Sequence, residues 1–255
     1  MAVQRIEVLG VPVDICLPQD LGKEILKLTE KPGHKQIVFL SIWGLLKARK
    51  KNDFASCVKN ADLVLPISKS ILKGAAFLKQ SVPLRYNPFS AVINMLNALE
   101  SQYKSLYLLG GRKKTVMAAE KNVRTTFKGI QIVGRYVGYY PKNVEDDIIK
   151  AIYKASPSLV LVSEGIKEKD CWSYLRRDKF SSSIFLYYKD IIGIFGGRRR
   201  RVKEKTFDRG LEIWDEILHN PLKIFLVFPF LKYLILLVCA RLSAKKNRRK
   251  VNESK

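Results

Sequence analysis

The chain has 255 residues, and 47% of them are hydrophobic, which is enough to bury the core of one or two domains. Its 47 Lys and Arg against 23 Asp and Glu give a net charge of +24, which favours anionic partners: phosphates, anionic lipid surfaces or nucleic acid. The four cysteines lie far apart without a CxxC pair and only two histidines occur, so the sequence argues against a disulfide framework and a metal site, and we expect no cofactor.

The first 101 residues predict alternating strands and helices. Residues 1–18 predict a short strand with a proline-containing turn, and they lack the pattern of a signal peptide. The other predicted elements are, in chain order, a helix over 21–28, a buried strand over 33–41, a helix over 42–51, a strand over 61–66, a helix over 67–80, a loop over 81–88 and a helix over 89–101.

Three buried strands follow in series, and each ends in a glycine or near one. They are SLYLLGG (105–111), GIQIVGRY (129–136) and SLVLVSEG (158–165), with predicted helices over 115–126, 144–155 and 167–177 after them. A last strand over 182–188 leads to the sequence IIGIFGG. Strands that alternate with helices in this way are typical of a parallel sheet, whose ligand site lies beyond the carboxyl ends of the strands. We therefore expect one α/β, Rossmann-like core over residues 1–197, with a largely parallel sheet flanked by helices.

The composition changes after Gly197. Residues 198–255 hold 16 Lys and Arg against six Asp and Glu, and within them an apolar run over 224–240 is interrupted by Pro229 and Lys232. A membrane span needs about 20 apolar residues, and a central lysine costs about 2.5–3.5 kcal/mol on insertion scales. An in-plane or re-entrant helix with a basic rim fits better, and the alternative is a buried core helix before a disordered basic tail. We expect residues 198–255 to form a membrane-associating appendage, with its membrane segment near 222–241.

Several short motifs occur in an order and spacing that resemble a known family. They are VLGVPVD (8–14), ADLVLP (61–66), Arg85, YLLGG (107–111), VGYYP (137–141), SPSLVLVSEG (156–165), Trp172 and RGLEIW (209–214). Over about residues 6–220 this pattern resembles the WecG/TagA/CpsF glycosyltransferases of bacterial surface-polymer synthesis.

The resemblance implies a reaction and its partners. That family transfers an N-acetylmannosamine-type sugar, which is an N-acetylhexosamine, from a UDP donor to a polyprenyl-diphosphate-linked acceptor. For this chain the resemblance implies the same kind of transfer in surface polysaccharide synthesis, at the cytoplasmic face of the bacterial inner membrane and against its anionic surface. The sequence is also compatible with an oligomer.

The chain departs from the family at positions that carry polar residues. After ADLVLP the family usually has Asp-Gly, whose Asp is thought to be the catalytic base, and Ile67-Ser68 stands there in this chain. The other departures replace the family's Thr-x-Asn by FLS (39–41), its Arg-x-x-Gly-x-Asp by RYNPFS (85–90) and its Gly-x-Pro-Lys-Gln-Glu by GIKEKD (165–170).

The role of the base is therefore vacant at Ile67. An inverting transfer needs a base, or at least an oriented acceptor hydroxyl. The acidic residues that could replace the family's Asp are Asp62, Glu164, Glu168 and Asp170. Asp170 follows Gly165 at the mouth of the expected site, and we predict it as the catalytic residue.

The ends of the three central strands supply the predicted donor site. Gly110 and Gly111 end a strand and precede three cations and a helix start, which suits a diphosphate, although a plain strand-to-helix turn is the alternative. Tyr139 can stack on a base or sugar, or it can belong to the core. With the resemblance, the predicted donor-binding residues are Gly110, Gly111, Gly138, Tyr139 and Gly165.

Two arginines are predicted to bind the acceptor diphosphate. Arg85 persists from the family's motif, and Arg201 aligns with a family arginine. A guanidinium fork matches phosphate geometry, so residues 198–201 can clamp a diphosphate, and a solvated basic loop is the alternative.

Three functions are compatible with this sequence. The first is a divergent, membrane-associated glycosyltransferase of the family. The second is a catalytically impaired paralogue that binds a nucleotide, an anionic lipid or a partner protein in envelope assembly. Nucleic-acid binding is disfavoured, because no helix-turn-helix, RRM, KH or zinc-finger pattern accompanies the positive charge.

Overall fold

The computed structural model describes residues 3–201, Phe207 and residues 227–253, and the side chains of the last helix as far as Ala244. The strands are β1 Gln4–Val8, β2 Val11–Ile15, β3 Gly33–Leu40, β4 Leu63–Pro66, β5 Ser105–Leu109, β6 Gln131–Tyr136, β7 Leu159–Val162 and β8 Ser182–Tyr187. The helices are α1 Pro18–Glu30, α2 Ile42–Ala48, α3 Asp53–Lys59, α4 Lys69–Phe77, α5 Pro88–Glu100, α6 Lys113–Thr126, α7 Glu145–Ala155, α8 Cys171–Tyr174, α9 Ile191–Phe195 and α10 Val227–Glu253.

Six strands form one parallel sheet in the order β4-β3-β8-β7-β5-β6. Strands β1 and β2 form a separate antiparallel hairpin. The α/β class and the parallel sheet predicted from the sequence are confirmed. Because all six strands are parallel, their carboxyl ends meet at a single edge of the sheet, where a ligand site is expected.

Successive residues of the central strands face opposite helix layers. In β7, Leu159 and Leu161 belong to a core cluster with α1, α5 and α6, whereas Val160 and Val162 pack in a second cluster with α7. A parallel strand covered on both faces needs apolar side chains at every position, which explains the uninterrupted run LVLV.

The strand order creates a crevice between β5 and β7. After β5 the chain enters α6, which packs in the first layer, and after β7 it enters a segment whose Ile166 and Trp172 pack in the other layer. The segments that follow β5 and β7 therefore leave these neighbouring strands toward opposite faces of the sheet. Doubly wound folds bind their ligands at this kind of position.

Two local predictions differ from the structure. The N-terminal strand is followed by a second strand, which contains Pro12, and the turn lies instead at Leu9 and Gly10, both with positive φ. The helix predicted over 167–177 is reduced to α8, because Lys169 adopts a left-handed conformation (φ 54°) that a helix cannot continue through. No element is predicted for the segment that forms helix α3, and the Asn52 side chain caps this helix by accepting from the Ala55 amide at 2.9 Å.

Asp14, the last residue of the VLGVPVD motif, anchors the hairpin to the edge of the sheet. Its carboxylate is 1% exposed and accepts from Arg5 Nε at 2.7 Å, from Arg5 Nη2 at 2.8 Å and from the Val64 amide of β4 at 2.6 Å. The hairpin thereby satisfies a donor of the edge strand that would otherwise be unpaired.

We expect Asp14→Ala to lower the free energy of unfolding by about 3 kcal/mol, because it leaves the Val64 amide without its acceptor and Arg5 without its counter-ion. Urea unfolding followed by circular dichroism measures the loss. Lys27→Ala is the matched control, since it breaks an exposed ion pair to Glu24 and should cost less than about 1 kcal/mol. Equal losses in the two variants would contradict the anchoring role of Asp14.

The C-terminal helix α10 docks on α4 and continues through Pro229 and Lys232. Tyr233 is 1% exposed, and its hydroxyl donates to the Ser70 carbonyl at 2.8 Å across Gly74, where any side chain would collide with the tyrosine ring. Arg241 donates to the Phe77 carbonyl at 2.7 Å. Residues 222–226 of the predicted membrane segment and the RGLEIW motif lie outside the described residues.

Helix α10 also carries an exposed apolar stripe, part of which borders α4. The stripe consists of Val227, Phe228, Leu231, Leu234, Ile235, Val238 and Leu242. By length and composition alone, Val227–Ala244 meets the criteria of a membrane-spanning helix, with a mean hydropathy of 1.8.

Candidate functional site

The glycines of the predicted donor site meet in the crevice at the carboxyl edge. Gly110 and Gly111 follow β5, Gly138 follows β6 and Gly165 follows β7. The Gly111 amide donates to the Glu164 carbonyl at 2.7 Å, and the Gly138 amide donates to the Gly111 carbonyl at 2.9 Å. These bonds tie the three strand ends into one unit.

The same glycines allow backbone segments to touch. A Cβ on Gly138 would collide with the Glu164 carbonyl oxygen and lie 3.0 Å from the Gly110 Cα, and a Cβ on Gly165 would lie 2.6 Å from the Gly138 carbonyl carbon. The amides of Gly110, Gly111 and Gly138 already donate to backbone carbonyls. The glycine cluster (Gly110, Gly111, Gly138 and Gly165) therefore forms a close-packed floor, and its contact with a donor stays a prediction.

A pocket of about 260 Å³ opens beside this floor. The cationic and acidic side chains at its wall and rim are those of Lys142, Glu145, Lys167, Glu168 and Arg176, and the remaining lining residues are Gly138, Tyr140, Gly165, Ile166 and Trp172. Aromatic rings, three cations and a glycine floor suit a nucleotide, which combines a flat base with a diphosphate. Tyr139 does not line this pocket, and its side chain is 59% exposed.

Glu145 holds the wall of the pocket in place. Its carboxylate accepts from Trp172 Nε1 at 2.9 Å, from the Tyr140 hydroxyl at 3.2 Å and from Arg176 Nη2 at 2.9 Å. Burial alone raises the pKa of Glu145, but the hydrogen bonds from Trp172 and Arg176 outweigh it and leave the pKa below its ordinary value. Arg176 also pairs with Glu168 at the rim, so the wall is fixed before a ligand arrives.

A basic loop over residues 198–201 crosses the carboxyl edge. Glu164, only 6% exposed at the end of β7, pairs with Arg198 Nη1 at 3.2 Å and with Arg199 Nη2 at 3.0 Å. Arg199 Nε also lies 3.1 Å from Asp190, which follows β8. The bond to Glu164 raises the pKa of Arg199.

The predicted acceptor arginines contact other parts of the structure than Glu164. Arg201 is exposed with its guanidinium 6.0 Å from the ring centre of Phe89, in the first turn of α5. Arg85 Nε donates to the Ile67 carbonyl at 2.8 Å, and its guanidinium stacks 3.7 Å from the ring centre of Phe207. The basic loop therefore contacts Glu164 through Arg198 and Arg199 and contacts Phe89 through Arg201, while Arg85 contacts Ile67 and Phe207.

Position 67, where the family has its acid, is apolar here. Ile67 packs against the main core cluster at the end of β4. Of the other acidic candidates, Asp62 precedes β4 and accepts from the Gln36 amide at 2.9 Å, so it lies at the amino edge, away from the crevice. Glu168 and Glu164 are held in ion pairs with arginines.

Asp170 lies on the segment between β7 and α8, but it does not line the pocket. Part of the residue remains accessible, while its carboxyl group is enclosed, and this burial raises the pKa of Asp170 to about 7. Tyr187, at the end of β8, is close enough for the charge of Asp170 to contribute, after burial, to raising the pKa of Tyr187 to about 12. The catalytic role of Asp170 stays a prediction.

The comparison with known proteins settles the family. The sequence model of the Glycosyl transferase WecG/TagA/CpsF family matches residues 6–250. The chain belongs to the WecG/TagA/CpsF glycosyltransferase family. A similar characterised protein is the N-acetylglucosaminyldiphosphoundecaprenol N-acetyl-beta-D-mannosaminyltransferase of Bacillus spizizenii, which is 20% identical over 175 residues, 69% of this chain and 67% of that protein. The resemblance read from the motifs is confirmed, and with it the assignment to polysaccharide biosynthesis.

Sequence reasoning missed the side chains that build the pocket of this WecG/TagA/CpsF member. The sequence predicts only that Glu145 begins one helix, over 144–155, and that Arg176 ends another, over 167–177. Their convergence on Trp172 depends on the packing of α7 against the segment after β7. Trp172 belongs to the family-like motifs, which indicates this region of the chain but does not identify the partners of the indole.

Proposed function

We propose that this chain is a divergent, membrane-associated glycosyltransferase that moves an N-acetylhexosamine-type sugar from a UDP donor to a polyprenyl-diphosphate-linked acceptor. The observation that carries the proposal is that the basic loop contacts both Glu164, whose carbonyl binds the glycine cluster, and Phe89, which lies four residues after Arg85. The relative from Bacillus spizizenii is named for an acceptor that is a sugar diphosphate of undecaprenol.

In this mechanism the pocket holds the nucleotide, and the arginines act on the two diphosphates. Arg198 and Arg199 stabilise the negative charge that develops on the leaving UDP, because a fixed cation costs no reorganisation during the reaction. Arg85 and Arg201 orient the acceptor diphosphate. Asp170 accepts the proton of the acceptor hydroxyl, and its pKa of about 7 suits a general base near neutral pH.

The appendage places this chemistry at a membrane. The exposed stripe of α10 supplies apolar surface, and six basic residues stand at its C-terminal end in the sequence: Arg241, Lys245, Lys246, Arg248, Arg249 and Lys250. Each basic residue near an anionic surface contributes about 1 kcal/mol, so the helix and its basic end act together. Since one side of α10 is occupied by α4, we propose in-plane contact at the cytoplasmic face, with residues 198–255 as the appendage to a core over 1–197.

A second candidate function rests on Ile67. A family member without an acid at this position can keep the fold and bind a nucleotide, an anionic lipid or a partner in envelope assembly without turnover. This candidate differs from the first in a single measurable quantity, the release of UDP.

The two candidates are separated by a transfer assay with the full chain. We expect UDP release from a UDP-N-acetylhexosamine only when a polyprenyl-diphosphate-linked sugar is present in vesicles that contain anionic lipid, and we expect the protein to sediment with those vesicles. Binding of UDP without release, across a panel of UDP-sugars, would favour the impaired paralogue. Protein that stays in the supernatant at low salt would overturn the membrane proposal, because the charge attraction is strongest there.

A further inference from the structure

A second pocket, distinct from the one on the glycine cluster, lies between α4 and α10. Its volume is about 250 Å³. One wall is a face of α4 that includes Lys73, Gly74 and Phe77, and the other is a face of α10 that includes Phe230, Leu234 and Val238. The lining is apolar except at its rim. We call it the α4–α10 groove.

The two helices are held apart in a way that leaves this groove open. Tyr233 reaches over Gly74 to the Ser70 carbonyl and fixes the helices at one point. Arg241 fixes them at a second point, where it donates to the Phe77 carbonyl and lies 4.5 Å from the centre of the Phe77 ring. Between these points apolar side chains remain exposed, including Phe77 at 38% and Val238 at 48%. These side chains line a concave, mostly apolar site, which is the kind of surface that accepts an apolar ligand.

The position of the groove in the fold indicates which apolar ligand it binds. Helix α4 begins at Lys69, two residues after Ile67, whose carbonyl is bound by Arg85. The groove therefore starts within one helical turn of the acceptor side of the carboxyl edge. Its other wall is α10, and Leu234 and Val238 belong both to this wall and to the exposed stripe. An apolar chain can therefore pass from the stripe into the groove and end beside Arg85.

We propose that the α4–α10 groove binds the isoprene units of the acceptor that are nearest to its diphosphate. This inference rests on the proposed function, which requires a polyprenyl diphosphate at Arg85. The volume of the groove is many times the roughly 10–15 Å³ that a single water needs on the same measure, so several carbon atoms of a chain fit. Lys73 is an exposed cation among the residues that line the groove.

We expect the affinity for prenyl diphosphates to depend on the length of the prenyl chain that the groove binds. Binding of prenyl diphosphates of increasing length to the full chain in mild detergent should tighten at least tenfold from one isoprene unit to the length that fills the groove, because each further methylene buried there removes apolar surface from water. Isothermal titration calorimetry measures this series without any turnover. Transfer to acceptors with the same series of chains measures it in kcat/KM.

Two variants that fill the groove test the assignment. Leu234→Trp and Val238→Trp should flatten the chain-length series at the value of the shortest ligand. Leu231→Trp is the matched control, because Leu231 lies on the same exposed stripe without lining the groove. The proposal is overturned if the two groove variants keep the dependence of the unmodified chain, or if Leu231→Trp loses it equally.

The outcomes also separate this inference from the proposed function. Chain-length-dependent binding without UDP release from any donor would leave the groove standing and overturn the transferase. UDP release at a rate that does not depend on the length of the prenyl chain would support the transferase and overturn the assignment of the groove. Equal competition by a lysophospholipid would assign the groove to acyl chains of the bilayer, and a dimer in sedimentation velocity that Val238→Trp dissociates would assign it to a second copy of the chain. Either result overturns the isoprene assignment.

Discussion

Gly138→Ala should destabilise the protein by at least about 3 kcal/mol and abolish nucleotide binding, because overpacking against backbone atoms cannot be relieved by side-chain rotation. The added Cβ would collide with the carbonyl oxygen of Glu164 and lie 3.0 Å from the Cα of Gly110. Relief requires the ends of β5, β6 and β7 to separate, and these ends form the floor of the pocket. The effect on binding should therefore exceed what the lost fraction of folded protein explains.

Urea unfolding and calorimetric titration with UDP, at a temperature where the variant is folded, measure the two effects separately. Gly44→Ala is the matched control. Gly44 lies within α2, and its added Cβ would lie 3.2 Å from a methyl group of Leu40, which can move aside. This change should alter the free energy of unfolding by no more than about 1 kcal/mol. A Gly138→Ala protein with unchanged UDP affinity would show that the glycine cluster is a structural joint away from the donor site.

Asp170→Asn should stabilise the protein at pH 8 while it lowers the transfer rate by about 10²–10⁴-fold, the usual contribution of a positioned general base. Burial raises the pKa of Asp170 to about 7, above the value of about 3.9 for an unfolded chain. The folded state therefore holds the proton more tightly, and the contribution of Asp170 to stability is fully present below about pH 4 and is lost as the pH rises through about 7. The loss amounts to a few kcal/mol, on the order of 1.4 kcal/mol per pKa unit.

The variant removes this dependence because an amide does not titrate in that range. The free energy of unfolding, measured in urea between pH 4 and 8, should fall with rising pH in the unmodified chain and stay nearly level in Asp170→Asn. Glu168→Gln serves as the comparison, since Glu168 is an exposed carboxylate on the same segment. If Asp170→Asn gains stability but keeps the full transfer rate, the buried carboxyl is a structural cost without a catalytic role, and the base must be sought elsewhere on the carboxyl edge.

Most elements of the core could be predicted because their signals are local. The runs LVLV (159–162) and LYLL (106–109) are hydrophobic at every position, which is typical of a strand covered on both faces, and the glycines after them allow the tight turns at the carboxyl edge. The sequence failed where a conformation depends on one residue or on a distant partner: the left-handed Lys169 ended the helix predicted over 167–177, and the second hairpin strand needed β4 as its neighbour.

The same distinction between local and long-range causes applies to the candidate site. The sequence alone determined that glycines follow the three central strands, that Ile67-Ser68 follows the ADLVLP motif, and that an apolar run with basic flanks lies near the end of the chain. The tertiary structure decided that β8 lies between β3 and β7, that Glu145 and Arg176 meet around Trp172, that the basic loop contacts both Glu164 and Phe89, and that α10 covers α4 through Tyr233 and Gly74. Strand order and side-chain convergence come from long-range packing and loop closure, which leave no periodic trace in the chain, whereas strands, glycine turns and apolar runs are set by steric and hydrophobic preferences of neighbouring residues.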